Sequence, residues 1–175
     1  MIKDILNDIE KAIENKAYFS ALALALTIPD ICGKIENTNI GKDKCKYMKW
    51  FNDWVYPYYK VIYDPKDEKF YKYEKLLKFD GNLCYALRCA VLHSGNYKVE
   101  KNKSKITRFE LCMNEGEFQS GESEGVYESD GEIVEVHKRV NVILLLQSFI
   151  KGTKDFFKKY GDDSEEYGIM QITII

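Results

Sequence analysis

Between residues 2 and 14 the apolar side chains recur at Ile2, Ile5, Leu6, Ile9, Ala12 and Ile13. That i, i+3, i+4, i+7 spacing predicts an amphipathic helix with one face turned to a core. From Tyr18 onward the pattern becomes almost wholly apolar. The run SALALALTIPDICGKIE predicts a helix buried on all sides, because alanine and leucine are strong helix formers. Pro29 interrupts it by removing one hydrogen bond and crowding the carbonyl of Ala25. One helix kinked at Pro29 is the favoured reading; the alternative is a new helix with Thr27 as cap and Asp30 three residues on. KDKCKYMKWFNDWVYPYY predicts a third helix ending near Tyr56, since the residue before a proline avoids helical geometry. Residues 60–78, rich in lysine and tyrosine with an Asp-Pro turn signal, read as a loop plus a short helix. Asp80 is placed to cap a helix that runs through YALRCAVLHSG, with Gly95 as its C′ residue.

The texture then changes. KITRFELCM and EIVEVHKRV alternate and predict strands, while NEGEFQSGESEGVYESDGE between them is acidic and rich in glycine and serine, a hairpin tip or loop. Residues 142–160 return to helical periodicity, with Val142, Leu145, Leu146, Phe149, Phe156, Phe157 and Tyr160 on one stripe. GIMQITII, residues 168–175, reads as a strand. The expected fold class is α+β, mostly α: a bundle of four to five helices with a small appended antiparallel sheet. It is read as a single domain over 1–175, with a helical core from 1–95 and 139–161 and a β-rich insertion at 98–138.

Composition adds exclusions. The net charge of −2 advertises neither nucleic acid nor membrane, so any RNA-binding claim must rest on a local patch. The N-terminus lacks the basic start and apolar run of a secretory signal, and no stretch is expected to reach the length of a membrane span. The five cysteines are odd in number and scattered without Cys-x-x-Cys spacing, which argues against a zinc site and a disulfide framework. Three of them sit in apolar helical patterns and are expected to be small buried residues. A cytoplasmic location follows, without metal or organic cofactor. The prominence of lysine, glutamate, isoleucine, asparagine and tyrosine suggests an AT-rich bacterial coding sequence.

The segment YALRCAVLHSG carries the candidate chemistry. With Leu87 at zero and 100 degrees per residue, Leu83, Leu87, Ala90 and Val91 fall within roughly 60 degrees of one direction, the face turned to the bundle. Arg88 falls at about 100 degrees and His93 at about 240 degrees. Tyr85, Cys89 and Leu92 fill the arc between them, a semi-apolar second face that asks for a partner. Arginine offers a permanently charged fork of donors suited to phosphate, and histidine trades protons near neutral pH. A fixed cation beside a titratable base suffices to cleave RNA without metal: the base takes the ribose 2′-OH proton, and the cation holds charge growing on phosphate.

Arg88-Cys-Ala-Val-Leu-His93, late in a helix of a helical core, resembles the Arg-x(4–6)-His motif of HEPN domains. The resemblance covers about residues 1–95 and 140–160. It implies a HEPN-like bundle, a metal-independent endoribonuclease or an inactive relative, and a homodimer in which two Arg/His sets share one cleft through the Tyr85/Arg88/Leu92/His93 face. It names Arg88 and His93 as the catalytic pair, with Ser94 beside them. Many active members carry Asn, Asp or His directly after the arginine; here that position is Cys89.

Other candidates have plainer alternatives. Asp30 and Lys34, one turn apart, either reach the Arg88/His93 cleft or form a local i,i+4 ion pair. His137 is either a second catalytic histidine or, more simply, a half-exposed residue at a strand end. Trp50 and Trp54 are expected in the core rather than stacking bases. The basic run 98–108 either attracts phosphate or protects a sheet edge, and the acidic segment 114–132 is expected to be solvated. Three functions follow: a HEPN-like ribonuclease of a toxin or defence kind; a catalytically silent RNA- or nucleotide-binding or dimerisation module; and a helical scaffold. Pairing of Arg88 with a carboxylate such as Asp30 or Glu36 in the same subunit would favour the scaffold.

Overall fold

The computed structural model describes residues 2–60, 78–94, 98–100, 106–113 and 125–161. Helix α1 (Ile2–Glu14) buries Ile2, Leu6 and Ile9, as its periodicity requires. Its end is closed by Lys16 at φ 58°, with the Ala17 amide bonded back to the Ala12 carbonyl at 2.8 Å and that of Lys16 to Ile13. This left-handed closure turns the chain directly into α2 (Tyr18–Ala25).

The apolar run is divided into α2 and α3 (Ile28–Glu36), rather than one helix kinked at Pro29. The break falls at Leu26 and Thr27, and Pro29 sits in the first turn of α3, where its missing N–H needs no partner. Thr27 occupies the cap position without capping: its hydroxyl donates to the Leu24 carbonyl at 2.7 Å. Residues Tyr18–Glu36 are, by length and composition alone, the one stretch among the described residues apolar enough to cross a membrane, which corrects the expectation that none exists. Within this protein the stretch packs into the core, with Leu22, Ala25, Leu26 and Ile28 fully buried.

Helix α4 (Asp43–Trp50) continues through a π turn (Phe51–Val55) into α5 (Tyr56–Tyr59). The helix therefore does not stop before Pro57. The Tyr56 amide reaches five residues back to Phe51, and this widened turn sets Pro57 in the first turn of α5. This composite helix is the centre of the bundle. Gly33 of α3, Gly81 of α6 (Gly81–Cys89) and Gly152 of α7 (Val142–Tyr160) each lie against its backbone, at the carbonyls of Lys46, Met48 and Trp54. Tyr47, Trp50, Phe51, Phe149 and Phe156 fill the space around it, with edge-to-face contacts such as Trp50–Phe156 at 5.7 Å. Trp54 is half-buried, and its Nε1 donates to Glu36 at 3.0 Å; the Tyr160 hydroxyl donates to the same carboxylate.

Asp80 caps α6 as its position suggested, accepting from the amides of Asn82 and Leu83 at 2.9 and 3.1 Å. Asp80→Ala is expected to remove about 1 kcal/mol of stability. In a chain of this size that lowers the thermal midpoint by roughly 2–4 °C, checked by a circular-dichroism melt. After α6 the helix passes into a second π turn, Ala90–Ser94.

Strands β1 (Lys98–Glu100), β2 (Ile106–Cys112), β3 (Gly125–Ser129) and β4 (Glu132–Asn141) form one sheet in the order β1-β2-β4-β3. The sheet is mixed, not antiparallel: β2 and β4 run parallel, with Ile106 opposite Glu135 and Cys112 opposite Asn141. The reason is β3, part of the acidic segment expected to be a hairpin tip or loop. It hairpins onto the outer edge of β4, so β2 meets β4 only through a crossover. Asp130 and Gly131 at φ 53° and 79° make the two-residue turn that the right-handed strand twist favours. β1, within the basic run, forms the opposite edge. β4 also continues to Asn141, past the boundary expected near 139, and the Asn141 side chain caps α7 by accepting from the Leu144 amide at 3.0 Å. Phe109 and Val140 join the helical core, which ties the sheet to the bundle. The result is an α+β protein dominated by helix. Gly95 and the expectations for residues 61–77, 114–124 and 168–175 lie outside the described residues.

Candidate active site at the end of the motif helix

α6 buries Leu83, Cys84, Ala86 and Leu87, and the π turn adds Ala90. Val91, expected on the inner face, is only half-buried. Tyr85, Arg88, Cys89 and Leu92 are half-buried and His93 is exposed, so the second face exists and lies open at its end.

Arg88 and His93 do not bracket that face; they meet on it. Arg88 Nη1 lies 2.7 Å from His93 Nε2. On an ideal α-helix five residues leave two side chains about 140 degrees apart. The π turn over Ala90–Ser94 changes this, because its hydrogen bonds span five residues and position i+5 comes to stand over position i. The spacing of the motif and the irregularity of the helix thus act together. With Arg88 donating, Nε2 is the acceptor and the imidazole proton sits on Nδ1. A protonated ring would turn two donors toward each other.

Asp30 holds the other side of the guanidinium: Arg88 Nε donates to Asp30 Oδ2 at 2.7 Å. The side chains retain only 19% and 27% of their exposure, so this pair is partly shielded from water. Burial alone would lower the arginine pKa, but the bond and charge of Asp30 outweigh it and hold Arg88 above its usual value. Asp30 lies in the first turn of α3, and its carboxylate is bonded to Arg88. The intrasubunit Arg88–Asp30 contact is the feature expected of a scaffold. The placement of His93 is not, because it faces solvent and bonds to Arg88.

Tyr85 forms the floor beside the pair. Its ring stands edge-to-face with Tyr47 at 5.3 Å, and the Arg88 Cζ lies 5.7 Å from its centre. Burial first, and then Cys89, raise the Tyr85 phenol above its usual range, so the group stays neutral. Tyr47 is fully buried, and its hydroxyl donates to the Leu26 carbonyl at 3.2 Å with Cys84 Sγ at 3.4 Å. Tyr47 therefore fixes the ring against which the cations sit. Cys89 is half-buried and interacts with both Tyr85 and Arg88. Of the cysteines expected to be buried, Cys32 and Cys84 are, and burial pushes both thiols far above their ordinary value.

Lys34 does not join the site, nor does it pair with Asp30. It reaches Asp43 at 3.5 Å, which Lys46 also approaches. The Ser94 backbone closes the π turn; its side chain lies outside the described residues. His137 is placed on the sheet, bonded to Glu135 and 4.5 Å from the Tyr127 ring, away from Arg88 and His93 in all its described contacts. Although burial acts to raise the Glu135 carboxyl, the His137 bond and Arg108 hold it below its usual range. Arg108 of the basic run is thereby engaged within the sheet. Among the described residues, no three His, Cys, Asp or Glu side chains converge as a metal site.

Sequence reasoning missed Lys44, whose Nζ lies 5.3 Å from the centre of the Tyr85 ring, and Tyr47. Neither is signalled by spacing along the chain, because both reach the motif helix across the α4 interface. In comparisons with known proteins, no family model, curated protein sequence or solved structure matches this chain.

Proposed function

We propose that the Asp30–Arg88–His93 constellation cleaves RNA without metal, in the manner of HEPN-like endoribonucleases. The observation that carries this reading is the 2.7 Å contact between Arg88 Nη1 and His93 Nε2 on the open end of the helix. As Arg88 Nη1 turns from His93 to the phosphate, the freed His93 Nε2 takes the ribose 2′-OH proton, O2′ attacks the adjacent phosphorus, and the bond to the 5′-oxygen breaks. Products are a 2′,3′-cyclic phosphate and a 5′-hydroxyl, whose proton is returned by the His93 imidazolium formed in the attack. Asp30 accepts from Arg88 Nε and so orients the guanidinium, leaving terminal N–H groups of the fork for the phosphate oxygens that gain charge. Dimerisation through the Tyr85/Arg88/Leu92/His93 face, with Leu92 at the contact and Tyr85, Arg88 and His93 lining the shared cleft, would join two such sets. A cytoplasmic protein with a toxin or defence role fits this chemistry.

A second reading, a silent RNA-binding or dimerisation module of the same fold, is favoured by Arg88 already having two partners in its own chain and by Cys89 following it. The deciding experiment incubates wild-type and His93→Ala protein with total RNA in EDTA and analyses the new ends. Cleavage by wild type alone, leaving cyclic phosphates, supports the enzyme. Inertness of both, in a protein that light scattering finds dimeric, supports the silent module.

A further inference from the structure

The Tyr85 ring is shared by two cations. Arg88 Cζ lies 5.7 Å from its centre and Lys44 Nζ 5.3 Å. Lys44 comes from the first turn of α4, a different element from the motif helix, and its side chain is exposed. Among the described residues it makes no ion pair, whereas its neighbours Lys34 and Lys46 are both drawn to Asp43 at 3.5 and 3.7 Å. Arg88 by contrast is anchored by Asp30 and turned toward His93. The site thus has one cation fixed by a carboxylate and a second, Lys44, held only by a half-buried aromatic ring. That ring is held edge-on by the buried Tyr47.

We infer that Lys44 and Tyr85 form a second subsite, at which Lys44 swings off the ring to bind the phosphate next to the scissile one and Tyr85 stacks the base between them. The substrate class is then single-stranded RNA spanning at least two consecutive phosphates, not a dinucleotide or a mononucleotide. The chemistry is that of single-strand binding in general: a backbone-tracking cation beside an aromatic platform, which accepts any base because every base has a π face. Duplex RNA does not fit, since its bases are stacked on one another and unavailable to the ring. The inference rests on the reading of Arg88 and His93 as a phosphodiester site.

The test uses 2′-O-methyl RNA, which lacks the attacking hydroxyl and so reports binding alone. A labelled octamer and a labelled dinucleotide with one phosphodiester are titrated with wild type, Lys44→Ala and Lys44→Arg over a series of salt concentrations. For the octamer, Lys44→Ala is expected to weaken binding roughly three- to tenfold. The slope of log affinity against log salt should become shallower by about 0.7, one phosphate contact on a single strand. Lys44→Arg should retain the wild-type slope, and the dinucleotide should not distinguish the three proteins. An unchanged octamer slope in Lys44→Ala, with wild type binding well, overturns the subsite and leaves the Arg88–His93 reading intact. Equal losses on octamer and dinucleotide place Lys44 at the scissile phosphate and also overturn it. Absence of octamer binding by wild type removes both readings together.

Discussion

In the His93→Ala protein, RNA cleavage in EDTA is expected to fall about 10²- to 10⁴-fold, the usual contribution of a positioned general base. The fold should be untouched, because His93 is exposed and Arg88 keeps its bond to Asp30. His93→Gln separates the roles further. Glutamine can still accept a hydrogen bond from Arg88 but cannot take a proton at neutral pH, so it should be as inactive as alanine. Were His93 only a structural partner of Arg88, glutamine would restore what alanine loses. Asp30→Asn keeps an acceptor for Arg88 Nε and removes the charge, and its expected effect is smaller, roughly three- to tenfold in kcat, through looser placement of the guanidinium. Single-turnover rates on a defined oligoribonucleotide measure all three. A wild-type rate in His93→Ala sinks the assignment of the base.

Gly152→Ala is expected to be the most damaging small change to the fold. A Cβ there would stand 2.3 Å from the Trp54 carbonyl oxygen and 2.8 Å from its carbon, against backbone that cannot rotate away. Helix α7 must then move off the central π turn, straining the Trp54–Phe156 and Trp54–Tyr160 contacts. Overpacking of this kind costs about 2–3 kcal/mol, which lowers the melting midpoint by roughly 5–10 °C. Trp54 fluorescence should change with it. Gly41→Ala is the control, because nothing lies within 4 Å of its Cβ position and its melt should match wild type. Equal melts for the two variants would show that the helices do not cross this closely.

Much of the architecture is written in local pattern. The apolar spacing of Ile2, Leu6 and Ile9, the Asp80 cap, the long stripe ending at Tyr160 and the alternation of EIVEVHKRV all emerge as read, because each depends on neighbours within a few residues. The motif pair Arg88 and His93 was legible for the same reason. Local pattern misplaced the breaks. The division at Leu26–Thr27, the passage of α4 through Pro57 and the parallel pairing of β2 with β4 depend on which surfaces meet. A glycine marks each close contact of α3, α6 and α7 with the composite helix, but its sequence position does not say which backbone it touches.

That an arginine and a histidine share the end of one apolar helix, with helices before and after to bury its other side, is legible in the order of residues. What those two residues do to each other depends on how distant segments pack. A straight helix would hold them apart; the π turn at Ala90–Ser94 brings them into contact, and Asp30, Tyr47 and Lys44 arrive from α3 and α4 to hold and extend the pair. Hydrogen-bond register and packing between distant segments are properties of the folded chain, and no periodicity along the sequence encodes them.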